Sequence, residues 1–400
     1  MVEPEPLVLT NRPARGTRPR NRRQLIVDAA GDLFYRHGYA AVSMSDIAEA
    51  VAIGPSALYR HFSGKNDLLA TVIEGALGQL DRTLQDAGAE DDLAAVLTNV
   101  ALNDRSIGVL WNREIRQLSS ARRQETRALI LRIHERIADL LQSRRPGLTR
   151  IEAVLLAWCA TGVANSVSFH DVTLPEYKFS ALIRLLVGIA LSSPAQSLSV
   201  QPMVPEQRTT APTRREAILI AATTLFAHRG FAAVSIDDIV AAAGIPEPSI
   251  YSHFPSKSDI FTALTSRGNG WLAIEFSRAV ADAAVPGQAL ARVIRSYQRF
   301  ALSNPNLLAI LVSESQHLPQ PEKRRVQGAH RGYVDEWVHL ARTEHPQWSL
   351  AEARIRVLAC QIMMSDVAVI ERLRNTTGVD RVLVSIGEEL LQIKSQPVSG

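Results

Sequence analysis

SMSDIAEAVAIGPSALYRHFSGK, residues 43 to 65, decides how this chain is read. Ser43 with Asp46 three positions on is a capping-box pattern. The hydroxyl can accept an amide bond from the first helical turn, and the carboxylate faces the positive end of the helix dipole. A short helix to about Val51 is predicted, then a turn over Ala52 to Gly54. Pro55 suits the first position of a further helix, where its missing N–H costs nothing. In PSALYRHF, Leu58 and Phe62 fall on one face as anchors, leaving Ser56, Ala57, Tyr59, Arg60 and His61 outward. That helix is too short and too polar to be a core element by itself. Small residues at its tip and donors behind them suit a helix laid into a DNA groove.

Upstream, Leu25, Ile26, Ala29, Ala30, Leu33 and Phe34 recur at three- and four-residue spacing, one face of a helix that His37-Gly38 stops. Residues 11–23, NRPARGTRPRNRR, hold six arginines with Pro and Gly and no acid. Position favours a basic arm, Arg18, Arg20 and Arg22 included, that reaches phosphates or a narrow minor groove; the bland alternative is a solvated tail. Downstream, Lys65 and Asp67 open a longer helix.

The same pattern recurs as SIDDIVAAAGIPEPSIYSHFPSK, residues 235–257. Setting Arg22 against Arg214 gives 21 identities in 46 positions through Asp67 and Asp259. Duplication is the direct reading of such self-similarity. It continues more weakly, pairing Glu114 with Glu314, Leu118 with Leu318, Leu140 with Leu340, Pro146 with Pro346 and Glu152 with Glu352. Residues 78–191 carry helical apolar spacing throughout. SSPAQSLSVQPMVPEQRTTAPT, about 192–213, is rich in Pro, Ser, Thr and Gln and reads as a linker.

The chain has 400 residues, 46% hydrophobic and 21% charged, enough for several domains with sizeable cores. Net charge is only +4, so the clustering of arginines near the N-terminus counts for more than the sum. Two cysteines, Cys159 and Cys360, make neither a disulfide framework nor a zinc site, and a reducing cytoplasm is expected. MVEPEPLVLT lacks the basic and apolar regions of a signal peptide, and the run Leu185–Leu191 is too short to span a bilayer. HExxH, GxSxG and a glycine-rich phosphate loop are absent, and His330, His339 and His345 read as surface and core histidines. The expectation is no enzyme, no cofactor, no metal and no membrane partner.

The order RxxIxxAAxxLFxxxG, VSxxDIA, ALYRHFxxKxxLL over residues 22–77 resembles the N-terminal DNA-binding domain of TetR-family repressors. The resemblance implies an all-α fold of two TetR-like protomers fused in one chain, each a three-helix DNA-binding domain with a helical ligand-binding and dimerisation domain. It implies that Tyr59, His61 and Lys65 grip phosphates of a double-stranded operator, while Pro55, Ser56, Ala57 and Arg60 read bases, with Ser43 and Ser45 beside them. Their counterparts are Ser235, Glu247, Ser249, Tyr251, Ser252, His253 and Lys257. One departure is visible: the turn usually has Gly where this chain has Ala52. Family members are homodimers of about half this length that join through their last two helices, so residues 150–191 and 350–394 are expected to form an intramolecular pseudo-dimer, with further self-association left open. The domains expected are an arm over 1–21, DNA-binding domains over 22–77 and 214–269, regulatory domains over 78–191 and 270–400, and the linker 192–213.

The two readers differ at the tip: Pro246, Glu247, Pro248 and Ser249 replace Gly54, Pro55, Ser56 and Ala57, and Ser252 replaces Arg60. A fused chain is free to let its readers diverge, so an asymmetric operator is expected. The resemblance also implies a small apolar effector in the helical halves. Trp111, Glu114, Ile115, Leu118, His134 and Trp158 are the candidate lining of the first, with ordinary packing the default for any one of them. The layout and the segment Val109–Glu114 are similar to tandem repressors of actinobacterial lipid-handling operons, those of mammalian-cell-entry operons among them, which implies a lipid, sterol or acyl-thioester. The competing reading is a helical scaffold or oligomerisation protein in which only the first reader binds DNA.

Overall fold

The structure is a computed structural model that describes residues 21–88, 90–195, 198–200, 213–313 and 320–393. The arm, with Arg18 and Arg20, lies outside those residues, as do Glu314 and Leu318 of the weaker repeat. Among the described residues the chain is all-α, with nineteen α-helices and one short strand pair. The first half runs α1 (Arg22–His37), α2 (Met44–Ala50), α3 (Pro55–Leu58), α4 (Lys65–Asp86), α5 (Leu93–Asn103), α6 (Ile107–Arg113), α7 (Ser120–Arg144), α8 (Arg150–Asn165) and α9 (Glu176–Ser192). The second half repeats it as α10 (Arg214–Arg229), α11 (Ile236–Ala243), α12 (Glu247–Tyr251), α13 (Lys257–Ala281), α14 (Pro286–Ser303), α15 (Pro305–Ser313), α16 (Gln320–Glu344), α17 (Leu350–Ala368), α18 (Glu371–Arg374) and α19 (Val379–Leu390).

By packing, the chain forms two compact units. One comprises the chain up to Thr83 together with Ser106–Ile133; the other comprises Leu84–Arg105 and everything from His134 onward. The division runs through α4 and α7.

The weak repeat at an offset of 200 is visible as geometry. Asp104 and Asn304 cap the C-termini of α5 and α14, and Thr149 and Ser349 open α8 and α17. Arg145 donates to the Leu191 and Ser193 carbonyls at 2.5 and 3.2 Å, and His345, its counterpart, donates through Nε2 to the Leu391 carbonyl at 2.8 Å. In both halves, then, a basic side chain closes the end of the last long helix, where orphan carbonyls need donors.

Within the second unit α8 packs on α17 and α9 on α19, which is the intramolecular pseudo-dimer. α8 can lie this close because Gly162 has no side chain: a Cβ there would fall 2.8 Å from the Met363 Cα. Residues 150–169 are long and apolar enough to cross a membrane, yet that segment is almost wholly buried in this interface. Cys159 and Cys360 are buried, Cys360 against Gly387 of α19, and burial pushes both thiols well above the usual range, as inert packing residues require. One feature of the linker differs from expectation. Ser199 and Val200 pair antiparallel with Thr377 and Thr376, so the stretch begins as a short strand on the second half.

Candidate nucleic-acid interface

The first reader is built outward from α1. Ile26, Ala30, Leu33 and Phe34 are buried, and Gly38 ends the helix at φ 81°, a conformation an L side chain rarely adopts. Ser43 and Asp46 form the capping box: the Asp46 N–H donates to Ser43 Oγ at 3.1 Å, and the Ser43 N–H donates to Asp46 Oδ2 at 2.7 Å. Two otherwise orphan donors are thereby satisfied at the start of α2. The turn passes through Ala52 at φ 55°, the left-handed region, and Pro55 stands at the first position of α3.

Leu58 and Phe62 are buried, and the Arg23 guanidinium lies 4.9 Å from the centre of the Phe62 ring. Fixing those two anchors leaves the other face open. Ser56, Arg60 and His61 are exposed, as is Tyr59, with 57% of its surface accessible; Ala57 is half-buried. Ser43 and Ser45 are exposed on α2. The helix expected through Phe62 ends at Leu58, and Ser56 on it, with Tyr59, Arg60 and His61 in the turn that follows, offers a hydroxyl, a phenol, a guanidinium and an imidazole to a partner whose surface is anionic and rich in acceptors.

The second reader has the same skeleton. Ser235 and Asp238 form its capping box; the Ser235 N–H and Oγ, with Arg229, hold the Asp238 carboxyl down at about 2. Gly244 takes the turn position at φ 64°. Ile250 and Phe254 are the buried anchors, with Arg215 5.0 Å from the Phe254 ring, and Tyr251, Ser252 and His253 are exposed. The tip differs in chemistry. Pro246 and Pro248 have no N–H, the Ser249 N–H is spent on the Pro246 carbonyl, and Glu247 adds an exposed carboxylate. Ser252 Oγ donates to the Ser249 carbonyl at 2.8 Å, where the first reader has Arg60.

Lys65 and Lys257, expected as phosphate grips, also make bonds within their own readers. Lys65 Nζ donates to the Tyr39 and Val42 carbonyls, both at 2.8 Å, and sits 4.2 Å from the Tyr39 ring centre. Lys257 donates to the Phe231 and Val234 carbonyls at 2.9 and 2.7 Å, 4.4 Å from the Phe231 ring. Burial lowers the pKa of both. Each lysine ties the start of the long helix to the loop between the first two helices, so it is first a brace of the reader. One of its three N–H groups remains for a phosphate.

Sequence reading also missed Arg113. At the end of α6 it donates to the Phe34 and Tyr35 carbonyls at 2.9 and 3.1 Å, closing the C-terminus of α1, and to Glu114 at 2.6 Å. Asn66 donates to the Gln117 carbonyl at 2.5 Å, and Arg122 pairs with Glu74. The first reader is thus wired by polar bonds to the segment that follows α6. Of the expected effector residues, Trp111, Glu114, Ile115 and Leu118 belong to this unit and are buried, with the Glu114 carboxylate committed to Arg113. His134 and Trp158 belong to the other unit, where their rings stack at 3.5 Å and His134 Nε2 meets Thr161 Oγ1 at 2.9 Å.

Two helix-turn-helix units of this geometry, each followed by a helical half, define a DNA-binding transcription regulator. The description "Bacterial regulatory proteins, tetR family" matches residues 26–72 and 218–264, within the two readers. Among curated proteins, the HTH-type transcriptional repressor BdcR of Escherichia coli is 31% identical over 134 residues, 33% of this chain and 68% of that protein. The fatty acid metabolism regulator protein of Bacillus subtilis is 26% identical over 113 residues, 26% of this chain and 58% of that protein. Among solved structures, the ketosteroid transcriptional regulator KstR2 of Mycobacterium tuberculosis is similar over 47% of this chain and 100% of that one, with 22% identity and a TM-score of 0.41. The chain belongs to the tetR family of bacterial regulatory proteins.

Proposed function

We propose that the chain is a ligand-responsive repressor in which two unlike readers grip the two halves of an asymmetric operator. The observation that carries this is the pairing of a shared clamp with a divergent tip. Tyr59 and His61, like Tyr251 and His253, are exposed at matching positions, while a donor-rich tip with Arg60 faces one half-site and an acceptor tip with Glu247 faces the other. Phosphate contacts position a reader and base-edge contacts specify it, so the shared residues supply affinity and the tips supply sequence preference. Arg18, Arg20 and Arg22 add an arm to the first half-site alone. Half-sites about one helical turn apart, roughly 34–36 Å, suit the family's docking geometry.

The domain limits that go with this reading are 22–77 and 214–269 for the readers, 78–191 and 270–400 for the regulatory halves, and 192–213 for the linker. A cytoplasmic location fits a protein that must reach the chromosome. For the effector we favour a lipid, sterol or acyl-thioester; the similarity to the fatty acid metabolism regulator protein of Bacillus subtilis points the same way. A second reading has one observation in its favour: the acidic, amide-poor tip of α12 suits a reader that has lost DNA, leaving only the first competent.

Gel-shift titration at fixed salt with the DNA upstream of the chain's own reading frame separates these. The native site is expected to bind better than either symmetrised site built from two copies of one half. Tighter binding by a symmetrised site would overturn the asymmetric reading. Indifference to scrambling the second half-site would favour the single-reader alternative.

A further inference from the structure

Duplication began with two similar helical halves, and one of them has changed its interior. In the first half Leu97, Ile130, Ile133 and Ile137 are buried aliphatic residues. At the offset of 200, fixed by the helix caps, the second half has Tyr297, His330, Tyr333 and Trp337 instead, and Gln361 where the first has Thr161. Aliphatic side chains satisfy a core on their own. Four aromatic rings with polar atoms do so only if each polar atom finds a partner.

The partners are incomplete. The Tyr297 hydroxyl meets Ser365 Oγ at 3.0 Å, and the Tyr333 ring lies 6.4 Å from that of Tyr297 and 6.0 Å from that of Trp337. The fully buried Trp337 N–H interacts with the Tyr333 hydroxyl but not at hydrogen-bond geometry. Gln361 Nε2, on a side chain 2% exposed, makes no hydrogen bond. An amide N–H buried without a partner is destabilising, which makes its retention a reason to look for an occupant. His330 and Tyr333, on the same helix as Trp337, are half-buried.

We infer that the second helical half holds the effector site and that it takes a flat, uncharged ring compound carrying a carbonyl or hydroxyl oxygen. The rings of Tyr297, Tyr333 and Trp337 offer flat apolar surface, and the unpaired Gln361 Nε2 requires an acceptor. Charge is disfavoured. Among the described residues no lysine or arginine stacks on these rings, and the Asp366 carboxylate acts on the Tyr297 hydroxyl, so a ligand carboxylate would be desolvated beside a like charge. The inference rests on the ligand-responsive reading above and narrows it, moving the site from Trp111, Glu114, Leu118, His134 and Trp158 to the other half.

Tryptophan fluorescence and melting temperature of the full chain, with 2-acetylnaphthalene as probe, test it. Saturable quenching and a raised melting temperature are expected. Affinity should fall about five- to tenfold for 2-ethylnaphthalene, which lacks the oxygen, and should be weaker still for decanoate. Trp337→Phe and Gln361→Met should each weaken the ketone by a similar factor, while Trp111→Phe leaves it unchanged. Gln361→Met should also raise the melting temperature of the free protein, since it removes an unsatisfied amide; a residue that only packs would not combine higher stability with lost binding. Absence of ring-ketone binding, equal affinity for the hydrocarbon, or insensitivity to both second-half variants would overturn the site. A gel shift on ligand-free protein reads DNA binding separately, so failure of the regulator reading and failure of this site are distinguishable.

Discussion

Reader one and reader two share the contacts that hold the motif together and differ most at the exposed tip. In both, a glycine ends the first helix, a Ser–Asp box starts the second, two apolar anchors seat the third, and a lysine is bonded to two loop carbonyls. The exposed tip and the arm are where they part. Duplicated domains relax first at positions whose cost is paid by a partner and not by the fold. The regulatory halves show the complementary case: the interior itself diverged, with Tyr297, Tyr333 and Trp337 in one where the other has Leu97, Ile133 and Ile137, and with Val334 and Leu358 where the other stacks His134 on Trp158.

The largest effect is expected where the halves meet. Gly162 corresponds to Ile362 across the repeat, so Gly162→Ile makes the two halves alike at that position. A Cβ at 162 would approach the Met363 Cα to 2.8 Å, and backbone cannot yield as a flexible side chain can. Overpacking of this kind costs about 3 kcal/mol. The urea midpoint of the second unit should fall accordingly, with hydrogen exchange accelerating in α8 and α17 together. An unchanged midpoint would mean that the close approach is not needed for the pseudo-dimer.

Next come the lysines. Lys65→Met and Lys257→Met each remove a donor from two carbonyls while keeping the stem, at a cost of about 1–2 kcal/mol per reader. If both are braces, local hydrogen exchange should rise equally in the two readers without DNA present. Should Lys65→Met leave exchange unchanged and weaken DNA binding alone, the two copies are unlike after all, and the sequence-based role as a phosphate grip stands for the first.

These lysines mark how far the sequence could be read. Helix periodicity, the Ser43–Asp46 box and the Pro55 start are local signals, and the structure has each of them where spacing put it. The duplication was legible because 21 of 46 positions repeat. What spacing could not give was the destination of a long side chain. Lys65 points back 26 residues, and Arg113 reaches the end of α1, 79 residues earlier. The second-half aromatic cluster escaped for a related reason: Tyr333 and Trp337 stand one turn apart on α16, but Tyr297 meets them from α14 only after folding. Trp111 and Glu114 drew attention through composition, yet Glu114 is engaged by its neighbour.

The smallest effect is the sharpest comparison, because it concerns one methyl group at one turn. Ala52 and Gly244 hold the same place in the two readers, at φ 55° and 64°. An alanine there crowds its Cβ against the following carbonyl, at about 1–2 kcal/mol, whereas glycine gives back part of that through the greater freedom of its unfolded chain. Ala52→Gly should therefore stabilise the first reader by about 0.5–1 kcal/mol, and Gly244→Ala should destabilise the second by about the same. Both should appear as opposite shifts in the exchange protection of α2 and α11. No heavy atom lies within 4 Å of a Cβ built at Gly244, so a loss there would come from backbone conformation and not from a clash. If Ala52→Gly loosens its reader instead, the Ala52 methyl contributes packing that outweighs the strain, and the departure from glycine at this turn is a feature of the first reader in its own right.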